Sequence, residues 1–328
     1  MFDVSIIARR FVALGVAVLG LVSTPTLQAA EGGYPSRPIR IVVASAAGSG
    51  SDIVARTLST HLAENLGQAV VVDNRPGAAG LIGAEIVARA SPDGYTIFIP
   101  TLTQHISTTL ANRHQLDKDF ESVGFLANTP FMIITSGSLP VKTTEEFIAY
   151  AKARPGKLLY GSSGAGGSLH ICMELFQSMA GLKMTHVPYK GSSALITDIM
   201  TNTVQLGCPP VAAMSAFMSN PKVRVLGVTT KDATSLAPGQ PPISQALPGY
   251  SFPGWYGALV PLKTPKPIVA LLHKELSRTI ANPEVRDRLL KQGVEPAMSS
   301  PEEFREFLSR ESKRMQVVLK EAGVQASK

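Results

Sequence analysis

Short blocks of β-branched and aliphatic residues recur along this chain, each followed by small or polar residues and then by a stretch whose apolar positions fall three or four apart. Ile39-Arg40-Ile41-Val42-Val43 is the first block, a near-continuous apolar run of the kind carried by strands buried on both faces. From Asp52 the spacing of Val54, Leu58, Leu62 and Leu66 predicts a helix, with Gly67 placed as its C-terminal stop. Val70-Val71-Val72 reads as the next strand, Asn74-Arg75-Pro76-Gly77 as a turn, and residues 81–90 as a helix. After Asp93-Gly94, a third strand is predicted at Tyr95-Thr96-Ile97-Phe98-Ile99. Alternating strand and helix signals of this sort predict parallel α/β sheets.

The pattern restarts at Phe131-Met132-Ile133-Ile134-Thr135, and Thr143 with Glu146 three residues on announces a helix through a capping box. Lys157-Leu158-Leu159-Tyr160 predicts a strand, Ser168–Ala180 a helix ending at Gly181, and Thr185-His186-Val187 a further strand. Pro188-Tyr189-Lys190-Gly191 opens another helix near Ser193, and residues 223–228 form the last clear strand of this half. Pro238, Pro241, Pro242, Pro248 and Pro253 then mark an irregular return to a strand over 255–260. Amphipathic helices finish the chain, the last opened by Ser300-Pro301-Glu302-Glu303, with serine as cap and proline at the first helical position.

The first thirty residues read as a separate object. Arg9 and Arg10 precede an apolar run over 11–22, and small residues end in Leu27-Gln28-Ala29-Ala30, the pattern of a cleaved export signal. The twin arginines fit either a folded-export or an ordinary unfolded-export route, and the plain flanks favour the latter. A run of that length falls short of a membrane span, so the mature chain is expected to be soluble and periplasmic. With 328 residues the chain is too long for one simple core, which predicts two lobes and a cleft. The net charge of +7 comes from dispersed lysines and arginines, and aromatics are only 6% of the chain, which argues against nucleic acid as partner and fits small anions. Six histidines lack metal-cluster spacing, so neither a metal nor another cofactor is predicted. The two cysteines, Cys172 and Cys208, are compatible with one bridge in an oxidising compartment or with two buried free thiols. Their apolar neighbours favour the thiols.

Two junctions carry the candidate chemistry: Ser45-Ala46-Ala47-Gly48-Ser49-Gly50-Ser51-Asp52 and Gly161-Ser162-Ser163-Gly164-Ala165-Gly166-Gly167-Ser168. Loops without bulky side chains let backbone N–H groups approach a bound group, and the helix that follows points its unpaired amides and positive dipole end the same way. Tight turns are needed in every α/β protein, but runs of small residues this long exceed that need. Enzyme signatures fail here. The first loop lacks the third glycine of a dinucleotide fingerprint, neither loop has the lysine of a nucleotide-triphosphate loop, and Ala165 stands where a nucleophile elbow needs glycine.

Tyr34-Pro35-Ser36-Arg37-Pro38-Ile39-Arg40, the 48–52 loop, Asp73-Asn74-Arg75-Pro76-Gly77-Ala78-Ala79-Gly80, Pro92-Asp93-Gly94-Tyr95-Thr96 and His186-Val187-Pro188-Tyr189-Lys190-Gly191 form an ordered set. Through these motifs, from about residue 34 to 323, the chain resembles the Bug family of periplasmic solute receptors, the extracytoplasmic receptors of tripartite tricarboxylate transporters. The resemblance implies a type II periplasmic-binding-protein-like α/β fold, two parallel-sheet lobes joined by a two-crossover hinge. The expected layout is a signal over 1–30, a discontinuous first lobe over 31–128 and 252–328, and a second lobe over 129–251.

The same resemblance implies that backbone amides and small hydroxyls of the two loops hold a ligand carboxylate, partly through ordered water. The matching positions are Ala47, Gly48, Ser49, Gly50, Ser51 and Asp52, with Ser162, Ser163, Gly164, Gly166 and Ser168 opposite. Amides of residues 48–51 are expected to donate to one carboxylate, while Asp52 caps helix amides or orients a bridging water. Ser45 at the start of the first loop, Tyr189 beside a crossover and Asp198 at an acidic position of the family complete the candidate set; His170 reads as a core or capping residue. Ser45 replaces a usual phenylalanine and Ala44 a usual proline, which removes an aromatic wall and leaves the solute open. The expected function is a monomeric, non-enzymatic receptor that delivers a small carboxylated acid to membrane permease subunits. A ligand-presenting partner of a membrane histidine kinase is the alternative, and a serine hydrolase, for lack of a base, is a distant third.

Overall fold

The computed structural model describes residues 33–324 apart from Lys190 and Ser215. The predicted export signal over 1–30 lies outside the described residues. Gly33 to Ser36 belong to a short N-terminal unit, and everything below concerns the unit that begins at Arg37.

The strands are β1 Ile39–Val43, β2 Val70–Asn74, β3 Thr96–Phe98, β4 Phe120–Thr129, β5 Met132–Ser136, β6 Leu159–Ser162, β7 Thr185–Pro188, β8 Leu206–Gly207, β9 Val223–Val228, β10 Gly254–Pro261 and β11 Glu295–Pro296. The helices are α1 Gly50–Leu66, α2 Leu81–Ala88, α3 Leu102–Ala111, α4 Thr144–Lys152, α5 Ser168–Ala180, α6 Ser192–Met200, α7 Val211–Met214, α8 Lys266–Ala281, α9 Pro283–Lys291 and α10 Pro301–Glu321. Two sheets result, ordered β11-β4-β10-β3-β1-β2 and β7-β6-β8-β5-β9.

Both sheets are mixed, which corrects the expectation of purely parallel lobes. β1 runs parallel to β2 and β3, and β6 parallel to β7 and β8, as strand–helix alternation predicts. β10 is antiparallel to β3 and β4, and β5 to β8 and β9. The physical reason is connectivity. β4 passes into β5 of the other sheet through Pro130 and Phe131, and β10 returns after the proline-rich segment, so neither is bound by the right-handed crossover that keeps βαβ strands parallel.

The two connections are stitched together by Thr229, which is fully buried. Its N–H donates to the Phe131 carbonyl at 3.0 Å, its hydroxyl donates to the Phe252 carbonyl at 2.9 Å, and its carbonyl accepts from the Phe252 N–H at 2.7 Å. One apolar core cluster runs through both sheets, from Val42 and Phe98 to Ile133, Tyr160 and Phe176, with Phe304, Leu308 and Met315 of α10 joining it, and a second, around Met132, Ile134, Leu195 and Ile199, lies within the second sheet's half. α10 packs against β4, α3 and α5 and so braces both halves.

Cys172 on α5 and Cys208 just after β8 form a disulfide, their α-carbons 6.6 Å apart. This corrects the preference for free thiols. Both residues are buried, as expected, but a separation of 36 positions carried no information that the helix and the strand end would meet.

Candidate functional site

The first loop follows β1, whose burial on both faces fixes where the chain must leave the sheet. Ser49 caps α1, its hydroxyl accepting from the Asp52 N–H at 3.4 Å. The hydroxyls of Ser45, Ser49 and Ser51 form a cluster, with Ser45 at 2.5 Å from Ser51 and 2.7 Å from Ser49, and Ser49 at 3.3 Å from Ser51. Asp52 is only 3% exposed and acts as the loop's anchor. Its carboxylate accepts from the Gly48 N–H at 2.8 Å, from Asn74 Nδ2 at 3.0 Å and from Arg56 Nε at 3.0 Å. Burial acts to raise its pKa, but these hydrogen bonds from Arg56, Gly48 and Asn74 outweigh it and hold the carboxyl below its ordinary value.

This corrects part of the predicted donor set. The Gly48 amide is taken by Asp52 and the Ser49 amide by the Ala46 carbonyl at 3.2 Å, so neither is free for a ligand. Asp52 therefore ties the loop together rather than capping the helix. The amides of Gly50 and Ser51, at the head of α1, take no acceptor among the described residues. Ala47 and Gly48 stand exposed at the loop's rim.

The second loop is held from beneath. Ser162, fully buried at the end of β6, shares a hydrogen bond of 2.6 Å with His186 Nε2, donates to the Gly164 carbonyl at 3.1 Å and accepts from the Gly164 N–H at 3.2 Å. The Gly166 N–H donates to His170 Nδ1 at 3.3 Å. Gly164 and Gly166 lie at φ +114° and +76°, conformations that a side chain would strain. The imidazoles of His170 and His186 have centroids 4.4 Å apart, Tyr160 stacks on His186 at 5.0 Å, and the Tyr160 hydroxyl donates to Glu174. Burial lowers the pKa of both histidines, and for His186 the neighbouring His170 adds to it. Both imidazoles are therefore neutral acceptors or donors to the loop, and the bond from the Gly166 N–H fits the reading of His170 as a core or capping residue.

Of the remaining candidates, Ser163 is exposed, Tyr189 donates through its hydroxyl to Asp198 at 2.7 Å, and its N–H donates to the Ser162 carbonyl at 2.8 Å. Burial, followed by Asp198, pushes the Tyr189 phenol up to about 12. Asp198 is thus engaged within its own lobe. Ser168, 4% exposed at the head of α5, lies 2.9 Å from the Thr103 hydroxyl at the head of α3.

That last contact joins the two halves, and α3 was absent from the sequence reading. Its signal was present: Thr101 and Gln104 form a capping box, with the Gln104 carboxamide oxygen accepting from the Thr101 N–H at 2.9 Å. Thr101 also bridges to Tyr256 of β10, whose hydroxyl abuts Gly50. The heads of α1, α3 and α5 are thereby linked around Tyr256, Thr101, Thr103 and Ser168. Three positive dipole ends and small-residue loops gathered in one place present the geometry and charge that suit an anion, while among the described residues no group of acidic, histidine or cysteine side chains is arranged to hold a metal ion.

The sequence pattern of the tripartite tricarboxylate transporter family receptor matches residues 54–324. The chain belongs to this family. The receptor is 33% identical, over 99% of its length and 98% of the relative's, to the protein encoded in the tcbD–tcbE intergenic region of Pseudomonas sp. (strain P51). It is 28% identical over 88% of its length and 90% of the relative's to BugT of Bordetella pertussis. Among solved structures it resembles the R. palustris protein Rpa4515 with adipate, at 33% identity and TM-score 0.81, covering 89% of this chain and 99% of that one. The periplasmic binding protein BugD aligns at 30% identity and TM-score 0.80, covering 89% and 99%. MatC of Rhodopseudomonas palustris with bound malate aligns at 27% and 0.78, covering 87% and 100%. The receptor thus has the two-lobed periplasmic-binding-protein fold, and among its described residues no helix is long and apolar enough to cross a membrane.

Proposed function

We propose that this receptor, exported to the periplasm and freed of its first thirty residues, captures a small carboxylated organic acid between its lobes. It then delivers the acid to the membrane subunits of a tripartite transporter and performs no chemistry on it. The observation that carries this reading is the gathering of the heads of α1, α3 and α5, with the Gly50 and Ser51 amides unspent, beside loops stripped of bulky side chains. That two relatives were solved with adipate and with malate supports the acid class. The loop positions from Ser45 to Asp52 and from Ser162 to Ser168 form the two walls, closing by relative motion of the halves about Thr229.

A hydrolase reading gains the base it lacked, since Ser162 lies beside His186. Ser162 is nevertheless fully buried and its hydroxyl is also bonded to Gly164, so no substrate carbonyl reaches it, and the pair serves as a brace for the loop. Thermal unfolding in the presence of adipate, malate, succinate, citrate, glutamate and benzoate tests the capture. At one hundred times Kd, a bound acid stabilises by about 2.7 kcal/mol and is recovered intact. Stabilisation by a neutral sugar but by no acid, or consumption of the acid, would refute the reading. Uptake of a labelled acid into vesicles bearing the transporter subunits should require the receptor.

A further inference from the structure

Tyr256 occupies a position that neither the loops nor the family pattern singled out. It lies on β10, two residues into the strand that returns from the second sheet, and is only 6% exposed. Its hydroxyl points at the head of α1, where a Cβ added to Gly50 would stand 2.3 Å from the phenol oxygen. Its backbone forms a bridge with Thr101, the cap of α3. A buried phenol therefore sits between two helix heads, against the residue whose amide has no acceptor among the described residues. We propose that the Tyr256 hydroxyl is a ligand donor, completing with the Gly50 and Ser51 amides a three-pronged cradle for one carboxylate of the captured acid. This inference rests on the capture reading above and adds a side chain to it.

The chemistry suits the part. Burial pushes the phenol up to about 12, so it keeps its proton throughout the neutral range and presents a donor rather than a repelling negative charge. The buried Thr129 hydroxyl has no hydrogen-bond partner among the described residues, and a phenol oxygen keeps lone pairs to accept from a nearby hydroxyl while its proton is given elsewhere. Glycine at position 50 follows from the same geometry. Its φ needs no special freedom, but any side chain would collide with the hydroxyl. Because β10 begins where the chain returns from the second sheet, a ligand bond at Tyr256 also places the acid beside the connection about which the halves move.

The test compares wild type, Tyr256→Phe, Gly50→Ala and the double variant, each by thermal unfolding without ligand and by calorimetric titration with whichever of the six acids above shifts the wild type most. Tyr256→Phe should unfold within about 2 °C of wild type and bind roughly ten- to a hundred-fold more weakly, as expected for one lost charge-assisted hydrogen bond. Gly50→Ala should be less stable and should not bind. Adding Tyr256→Phe to it should recover stability, because the collision is relieved, but not affinity. Binding by Tyr256→Phe within twofold of wild type would overturn the inference while leaving acid capture intact. A Tyr256→Phe protein that loses cooperative unfolding would assign the phenol a structural role and overturn it too. A wild type that answers to none of the acids would overturn the capture reading and the inference with it.

Discussion

Replacing Asp52 by asparagine should loosen the first loop without changing its shape at the start, and the size of the effect can be worked out bond by bond. The native carboxylate holds the Gly48 amide at 2.8 Å and Asn74 at 3.0 Å, and each bond to a buried charge contributes about 1.5–3 kcal/mol. The Arg56 guanidinium is half exposed, so its pairing adds at most about 1 kcal/mol. Asparagine keeps one acceptor oxygen and turns the other into a donor facing donors, so about 2–3 kcal/mol should be lost. For a chain of this size that corresponds to a fall of roughly 4–12 °C in Tm at pH 7. The pH dependence follows from sign. Burial alone would raise the Asp52 pKa, but its hydrogen bonds bring it below the ordinary value of about 3.9. The unfolded chain therefore takes up the proton first as pH falls. Its contribution is present above about pH 4 and disappears as the pH passes down through the folded value. Scanning calorimetry at pH 7, 5 and 3 should show the gap between wild type and Asp52→Asn wide at the first two and narrowing at the third. Equal Tm values at pH 7, or a gap undiminished well below pH 3, would refute the assignment of Asp52 as the loop's anchor.

Two further outcomes are expected. The double variant Cys172→Ala/Cys208→Ala opens a closed loop of 36 residues and should lose about 3–4 kcal/mol in urea unfolding, matched by wild type under reductant; a loss below about 1 kcal/mol would mean that the bridge contributes little. The burial-lowered pKa values of His170 and His186 mean that the unfolded chain protonates first, so stability should decline as pH drops below about 6.5. His186→Gln should flatten that decline in urea midpoints between pH 7 and 5 but leave a residual slope, since burial lowers His105 in the same sense; an unchanged slope would clear the pair of the effect.

The elements beside the two loops were legible from the chain alone because their causes are local. A doubly apolar β1, a glycine-serine turn, the leucine stripe of α1 ended by Gly67 at φ 64°, and the capping box of α10 all depend on neighbours a few positions apart. α3 escaped because Leu102, Ile106 and Leu110 are its only large apolar residues among threonines, glutamine, histidine and serine, although its Thr101-x-x-Gln104 box was there to be read. β4 escaped because its buried positions interrupt strict alternation, as suits a strand covered on both faces. What no periodicity encodes is which distant elements become neighbours. The disulfide between α5 and the end of β8, the spending of the Gly48 amide on Asp52, the Thr103–Ser168 contact and the Tyr256 hydroxyl at Gly50 all join positions that only the sheet order and the two crossings bring together. The sequence by itself determined where anion-binding helix heads begin, because backbone amides and small residues act over a few positions. The tertiary structure decided which of those donors remain free and what faces them, because hydrogen bonds are exclusive and their partners lie far away along the chain.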